Sequence, residues 1–338
     1  ANSPEKVGLV LTTYPIVRLD GDFLANYFFE AIILDEAQMI KNVDSLTARS
    51  VKNLRSNFRL ALSGTPVENR PLELWSIFDF ILKGTLGSKA FFLNYIEKEL
   101  SNDTLDRLQK SLSPFILRRV KEQAMPSLPP KVETEEVVEM TPIQREIYEK
   151  YLLYWRETFQ RKQLNYLNVL AALTKLRQIC NHPCSLEEYI ESPDIESGKF
   201  NRLKELILEL MENSRKVVVF CQFLKMIEII RRFCEDKDIL NFVFTGQTRD
   251  RRQLLEKFNA AEPPCALIMS LKAGGLGINL ASASTVVLYD PWWNPHVERQ
   301  AIDRLHRIGQ KSTVFVYRLI TKDSVESRMA ELKKLKIE

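Results

Sequence analysis

Cysteine is scarce in this chain: five in 338 residues, an odd number that builds no disulfide framework. Secreted domains stapled by dense cysteine pairs are thereby set aside, and a reducing compartment is the default expectation. No unbroken apolar run reaches membrane-spanning length. Nor does a basic segment lead into an apolar run and a small-residue cleavage site. We therefore expect no membrane partner. Eleven glycines are present, yet none are arranged as G-x-G-x-x-G, so the dinucleotide-binding fingerprint is missing. Internal repeats and low-complexity tracts are absent too. The chain opens without methionine and runs almost at once into apolar residues, so we expect a piece of something longer.

What is present is ordinary for a globular protein: 45% apolar and 27% charged residues, in a length that suits two or three domains. The net charge of +4 fits a polyanion-binding surface without demanding one.

Apolar runs that end in polar residues recur along the chain. "VGLVLTTY" (7–14), "EAIILDEAQ" (30–38) and "FRLALSGTP" (58–66) read as buried strands, with a helix over "SLTARSVKNL" between the last two. The same grammar returns in "KVVVFCQF" (216–223), "NFVFTGQ" (241–247), "CALIMSLKAGG" (265–275), "TVVLYDPWW" (285–293) and "VFVYRLI" (314–320). "LKMIEIIRRFCE" and "RRQLLEKF" supply helices between them. Near-continuous apolar strands separated by helices predict parallel sheets covered on both faces.

From about Leu86 to Ile195 the pattern is mostly helical. Thr141, Pro142 and Gln144 predict a capped helix start with a capping box. "LNVLAALTKLRQICN" predicts a helix that stops at Asn181–His182–Pro183. "MPSLPPKVETEEVVEM" reads as an extended connector, and "SPDIESG" (192–198) as a hinge.

Chemistry gathers at the strand ends. Asp35 and Glu36 should emerge where open parallel sheets bind ligands. They suit Mg²⁺ and an attacking water, or simply a helix cap. Ser63 and Thr65 flank Gly64 in what is also a plain strand-to-helix turn. Gly274, Gly275 and Gly277 would let backbone approach a phosphate or ribose. In "PWWNPHVERQAIDRLHRIGQ" (291–310), Asn294, Pro295 and Gly309 predict a helix start and stop. Ala301, Leu305 and Ile308 share one face; Gln300, Arg304 and Arg307 share another. That second face is either a solvated one with an Asp303–Arg307 pair or a bidentate anion clamp. Of Trp292 and Trp293, we expect one to pack inward and one to face ligand. Cys180, His182 and Cys184 lie close together, but no second ligand pair at zinc spacing is near, and a helix end is the reading taken.

The ordered set "DEAQ", "LSGTP", "VVVFCQF", "SLKAGGLGINL" and "ERQAIDRLHRIGQ" resembles motifs II to VI of the superfamily-two helicase-like ATPases. "DPWWNPHVERQAIDRLHRIGQ" is similar to the Swi/Snf-type branch, the ATP-driven double-stranded-DNA translocases of chromatin remodelling and their bacterial or archaeal relatives. "VLTTY", "LRRVKEQAMPSLPPK", "LRQICNHP" and "SGKFNRL" match that branch as well.

The resemblance implies an α/β fold of two RecA-like lobes with parallel sheets, the first incomplete, and helical insertions between them. Expected divisions are residues 1–85 (C-terminal part of the first lobe), 86–130 (its helical insertion and brace), 131–197 (linker and helical protrusion of the second lobe), 198–328 (second lobe) and 329–338 (a C-terminal tail, read as a solvated amphipathic helix end). ATP and Mg²⁺ are the implied ligands. Asp35, through water, and Glu36 would serve the metal and the attacking water. Gln38, Ser63, Thr65, Gly275, Gly277 and Gln300 would lie by the nucleotide, in an interlobe cleft. Arg304 and Arg307 would be arginine fingers on the γ-phosphate, and such fingers contribute roughly 10³–10⁵ in rate. Thr12, Thr13, Gln247, Ser270, Lys272 and Trp293 would face double-stranded DNA.

One departure stands out: no Gly-Lys-Ser or Gly-Lys-Thr occurs, and "SGKF" and "GQKS" do not replace it. The phosphate loop and the motif before "VLTTY" are missing, so we expect this stretch alone to bind ATP poorly and hydrolyse it negligibly. The implied whole is a monomeric motor on DNA, working with a DNA-bound transcription or repair assembly, in the cytoplasm of a prokaryote or the nucleus of a eukaryote. A strand-separating DNA or RNA helicase and a non-catalytic nucleic-acid scaffold are the alternatives.

Overall fold

A computed structural model describes residues 8–64, 71–98, 102–119, 121–161, 166–190, 192, 194–270 and 277–337. The chain forms two compact units, Ala1–Arg119 and Val120–Glu338. Both are α/β, with parallel strands and intervening helices, as expected. Among the described residues, no helix is long and apolar enough to cross a membrane.

Unit 1 runs through α1 (Tyr14–Leu19), α2 (Gly21–Leu24), β1 (Phe28–Leu34), α3 (Leu46–Asn53), β2 (Arg55–Ala61), α4 (Pro71–Ile81), α5 (Lys89–Lys98) and α6 (Asn102–Leu112). Strands β1 and β2 pair in parallel, Phe28 opposite Arg55 through Leu34 opposite Ala61. Ser45 caps α3, its hydroxyl accepting from the Ala48 amide at 3.1 Å. Val17, Leu34, Ala48, Val51 and Phe80 join Ala37 and Ile40 in one core.

Two expectations fail in unit 1. Residues 9–13 are not a strand: they have no regular structure, Leu11 is 94% exposed, and helix α1 begins at Tyr14. Apolar content makes a strand only where a neighbour accepts its backbone hydrogen bonds, and among the described residues no strand pairs with this stretch. Nor are β1 and β2 buried on both faces. Alternate residues are covered by α1, α3 and α4, while Phe28, Ile33, Phe58 and Leu60 stay exposed.

Unit 2 runs through α7 (Lys121–Ala124), β3 (Lys131–Val138), α8 (Pro142–Arg161), α9 (Tyr166–Asn181), α10 (Gly198–Glu212), β4 (Lys216–Cys221), α11 (Leu224–Asp236), β5 (Asn241–Phe244), α12 (Arg251–Ala260), β6 (Cys265–Ser270), β7 (Thr285–Leu288), α13 (Pro295–Ile302), β8 (Val314–Thr321) and α14 (Val325–Ile337). The sheet order is β3-β8-β7-β4-β6-β5, every pair parallel. The stretch read as an extended connector is thus an edge strand, β3, in register with β8. Its alternating, charged residues hide it locally; it becomes a strand because β8 offers a free edge.

The central strands alternate between two cores. Val218 and Phe220 of β4 pack with Leu267, Met269, Phe258, Ala301 and Ile302 on one face. Val217, Val219 and Cys221 pack with Leu206, Ile207, Met226 and Ile230 of α10 and α11 on the other. The capping box of α8 forms as expected. Gln144 N donates to Thr141 Oγ1 at 3.3 Å, and Thr141 N to Gln144 Oε1 at 3.4 Å. Gly198 opens α10 where a Cβ would sit 1.9 Å from the Glu139 carbonyl oxygen, so no other residue fits. Lys199 beside it is buried against Glu326 at 2.5 Å. The last described residues form a helix end, as expected: α14 begins at Val325, buries Met329, and pairs Lys333 with Glu298 at 2.6 Å.

Candidate functional site

The ends of β1 and β2 bring four expected residues of unit 1 together. The chain leaves β1 at Leu34, and Glu36 takes a left-handed conformation (φ +50°) that is costly outside glycine. That kink is held on both sides: Ala37 N donates to the Leu62 carbonyl at 2.8 Å, and Leu62 N to the Leu34 carbonyl at 2.8 Å. Gln38 Nε2 then donates to Glu36 Oε2 at 2.5 Å, and Ser63 Oγ donates to Gln38 Oε1 at 2.9 Å. A hydrogen-bonded chain therefore joins the carboxylate after one strand to the hydroxyl after the next. Asp35 is exposed; its Oδ1 accepts from Glu36 N at 3.0 Å. An exposed hard-oxygen donor beside a second carboxylate fits magnesium, which is held by one or two carboxylates plus waters and substrate rather than by a closed cage. Among the described residues no cluster of three or more metal-ligating side chains occurs, the 180–184 region included.

Tyr14 is the residue of this half-site that sequence reasoning missed. Its hydroxyl donates to the Asp35 carbonyl at 2.7 Å. Burial, reinforced by the Asp35 and Glu36 charges, pushes the phenol up to about 12, so it remains a donor at neutral pH. The quoted "VLTTY" contained it, but spacing alone cannot link residues twenty-one positions apart.

In unit 2 the arginines do not lie on the expected helix. Asn294 caps α13, its side chain accepting from the His296 amide at 3.0 Å, but the helix ends at Ile302. Arg304 and Arg307 sit in an irregular turn that closes at Gly309 (φ +101°). Leu305 is buried as expected, whereas Ile308 is 73% exposed. The Asp303–Arg307 pair does not form; Asp303 binds Lys121 at 2.7 Å instead. Arg307 Nη1 donates to the Ile278 carbonyl at 3.2 Å, and the Arg304 carbonyl accepts from Leu280 N at 3.0 Å. The arginine turn and the stretch after Gly277 (φ +62°) are thus one piece of structure. Arg304 Nε is buried with no hydrogen-bond partner among the described residues. Gln300 lies on α13, one turn before Arg304.

A buried polar cluster supports the same end of the sheet. Gln222 N, just after β4, donates to both Asp290 oxygens at 3.0 and 2.9 Å, and Asn181 Nδ2 donates to Asp290 Oδ2 at 3.0 Å. Burial pushes the Asp290 carboxyl up, opposed by Arg177. Arg177 donates to Gln222 Oε1 and to the Pro291 carbonyl, both at 2.7 Å. None of these residues stood out in the sequence, because each partner comes from a different element.

The expected nucleic-acid positions scatter. Thr12, Thr13 and Gln247 are exposed, and Trp293 is 45% exposed while Trp292 packs against the core. Ser270 is buried at the end of β6. Thr65, Lys272 and Gly275 lie outside the described residues.

Comparison with known proteins gives this geometry a family. Residues 1–185 match the SNF2-related domain, and residues 198–309 match the helicase conserved C-terminal domain. An uncharacterised ATP-dependent helicase of Mycoplasma genitalium is 40% identical over 98% of this chain and 32% of its own length. The putative ATP-dependent helicase/translocase YwqA of Bacillus subtilis is 39% identical over 96% of the chain and 37% of its own. The human SWI/SNF-related matrix-associated actin-dependent regulator of chromatin subfamily A member 1 is 35% identical over 99% and 34%. The chain thus spans about a third of the length of these relatives. Among solved structures, the Sulfolobus solfataricus SWI2/SNF2 ATPase core in complex with double-stranded DNA is 34% identical, with a TM-score of 0.54 over 96% of this chain and 70% of that one. The C-terminal part of the Fun30 ATPase domain is 26% identical, with a TM-score of 0.52 over 61% of this chain and 89% of that one. With both domain matches in chain order, and the expected strand-end and arginine residues standing within them, the chain belongs to the SNF2 family.

Proposed function

We propose that this chain is part of an ATP-hydrolysing motor that moves on double-stranded DNA. The observation that carries the reading is the Glu36–Gln38–Ser63 hydrogen-bonded chain at the ends of two parallel strands, in a member of this family. Glu36 would orient the attacking water, and Asp35 would help to hold magnesium. The magnesium ion would neutralise charge on the phosphates. Gln38 keeps the Glu36 carboxylate aimed, and Ser63 reports its state to the end of β2. Arg304 and Arg307 supply planar guanidinium groups to the γ-phosphate as it leaves. Gly277 and Gln300 stand near the nucleotide, and Thr12, Thr13, Gln247 and Trp293 toward DNA. Double-stranded DNA is favoured as the track because a family relative of known structure is a complex with it. No phosphate-loop lysine of the Gly-Lys-Ser/Thr type lies in this sequence. By itself this stretch should therefore hold ATP poorly and turn it over negligibly.

The test is ATP hydrolysis by the complete protein with duplex DNA, single strands and RNA in parallel. Stimulation by duplex, lost in Arg304→Ala with nucleotide binding kept, is the expected result. Stimulation by single strands or RNA alone would move the reading to a strand-separating helicase. Fast turnover by the isolated chain, abolished by Glu36→Gln, would overturn its dependence on a phosphate loop supplied from elsewhere.

A further inference from the structure

The arginine turn is not held by a helix, so something else must set its geometry. Its ties on one side are to the 278–283 stretch: Leu280 N donates to the Arg304 carbonyl at 3.0 Å, and the Gln310 side-chain Nε2 donates to the Ala283 carbonyl at 2.8 Å. On the other side it is gripped by residues 121–130. Lys121 Nζ donates to Asp303 Oδ1 at 2.7 Å and also to the His306 carbonyl. His306 Nε2 lies 2.7 Å from the Pro129 carbonyl oxygen, which can only accept, so that nitrogen carries the proton. Val314 N donates to the Pro130 carbonyl at 3.0 Å and fixes the far end of the same segment.

From this clasp we infer that Lys121 is a positioning residue for Arg304 and Arg307, an inference that rests on the proposed role of those arginines. Its two acceptors, Asp303 and His306, bracket Arg304 in sequence. One ammonium group thereby sets both ends of the segment that carries the guanidinium. A lysine paired at the surface adds little to stability, because water screens it and holding it costs side-chain entropy. The value of this one is geometric: an arginine displaced by about 1 Å from its place loses most of its transition-state contact. Lys121 is also the second residue of unit 2, directly after the chain leaves unit 1.

The experiment measures DNA-stimulated ATP turnover by the complete protein in Lys121→Met, Lys121→Arg, Asp303→Asn, Arg304→Ala and Arg307→Ala. Lys121→Met should lower kcat by about 10- to 100-fold with KM for ATP and the thermal unfolding midpoint unchanged. Lys121→Arg, which keeps a charged donor, should restore most of it. Amide exchange over 303–309 should quicken in Lys121→Met. Parent-like kcat in both Lys121→Met and Asp303→Asn, while Arg304→Ala is dead, overturns the inference. So does a loss of kcat that is matched by a loss of folded protein. If Arg304→Ala and Arg307→Ala keep full turnover, the finger reading itself fails, and the positioning role with it.

Discussion

Two strand-end aspartates sit at equivalent places in the two units and meet opposite fates. Asp35, after β1, is exposed, and its carboxylate accepts from the neighbouring Glu36 amide. Asp290, after β7, is fully buried and taken up by Gln222 N and Asn181, with Arg177 close by. Both positions lie at the carboxyl ends of parallel strands, where ligands bind in open α/β sheets. What separates them is the number of layers around each sheet. In unit 2, both faces of β4, β6 and β7 are covered, and a carboxylate at the end of that stack must be satisfied by protein. In unit 1, alternate residues of β1 and β2 are exposed among the described residues, and Asp35 is exposed with them. The same sheet position is thus exposed in one unit and built into the protein in the other.

That contrast can be broken at several scales. The largest expected effect is on chemistry: if both units supply one reaction, Glu36→Gln and Arg304→Ala should each cut ATP turnover of the complete protein by roughly 10³-fold or more. A variant in one unit that leaves turnover intact would show that a single unit suffices. Next comes the interior of unit 2. Lys199→Met leaves Glu326 buried without its partner and should cost about 3–5 kcal/mol in urea unfolding. A loss under 1 kcal/mol would mean that water reaches the pair, which is 0% exposed on both sides.

A third prediction concerns pH. Burial, with Lys204 adding to it, lowers His182 from 6.5 to about 4. A histidine whose folded pKa is depressed binds fewer protons folded than unfolded between those values. Stability is then fully present above about 6.5 and is lost as pH falls toward 4. The loss should approach roughly 3 kcal/mol by pH 4. Unfolding midpoints of parent and His182→Gln across pH 4–7 check this; parallel curves would place His182 in water. The smallest effect returns to the two aspartates. Asp290→Asn should cost about 1–3 kcal/mol of stability, as one of two buried acceptor oxygens becomes an amide NH2 facing other donors, whereas Asp35→Asn should change stability by no more than about 0.5 kcal/mol while lowering turnover. Equal stability losses would end the distinction.

How much was legible beforehand differs between the units for the same reason. The five strands expected in the C-terminal half all formed, because each is a run of apolar β-formers bounded by turns, and the central three, β4, β6 and β7, are buried on both faces. The capping box at Thr141 and Gln144 was equally readable, since its whole chemistry lies within four residues. Residues 7–14 misled, because the apolar pattern there is real but no strand accepts it. Strand β3 was missed for the converse reason: its pattern is charged, and only its pairing with β8, some 183 positions away, makes it part of a sheet. At the candidate site, Asp35, Glu36, Gln38 and Ser63 were named from local motifs and do meet. Tyr14, Gln222, Asp290 and Lys121 were not, because each acts through a partner on another element.

By itself the sequence determined the family, the order of its motifs, the parallel α/β class and the helix starts at Thr141 and Asn294. These depend on residues within a few positions of one another, where periodicity and side-chain chemistry speak directly. Only the tertiary structure decided that helix α13 stops at Ile302 and that Asp303 pairs with Lys121 instead of Arg307. A guanidinium three or four residues along a helix and an ammonium 182 residues away compete for one carboxylate. The helix that would favour the first is ended by the ties that bring in the second, and sequence spacing holds no record of that contest.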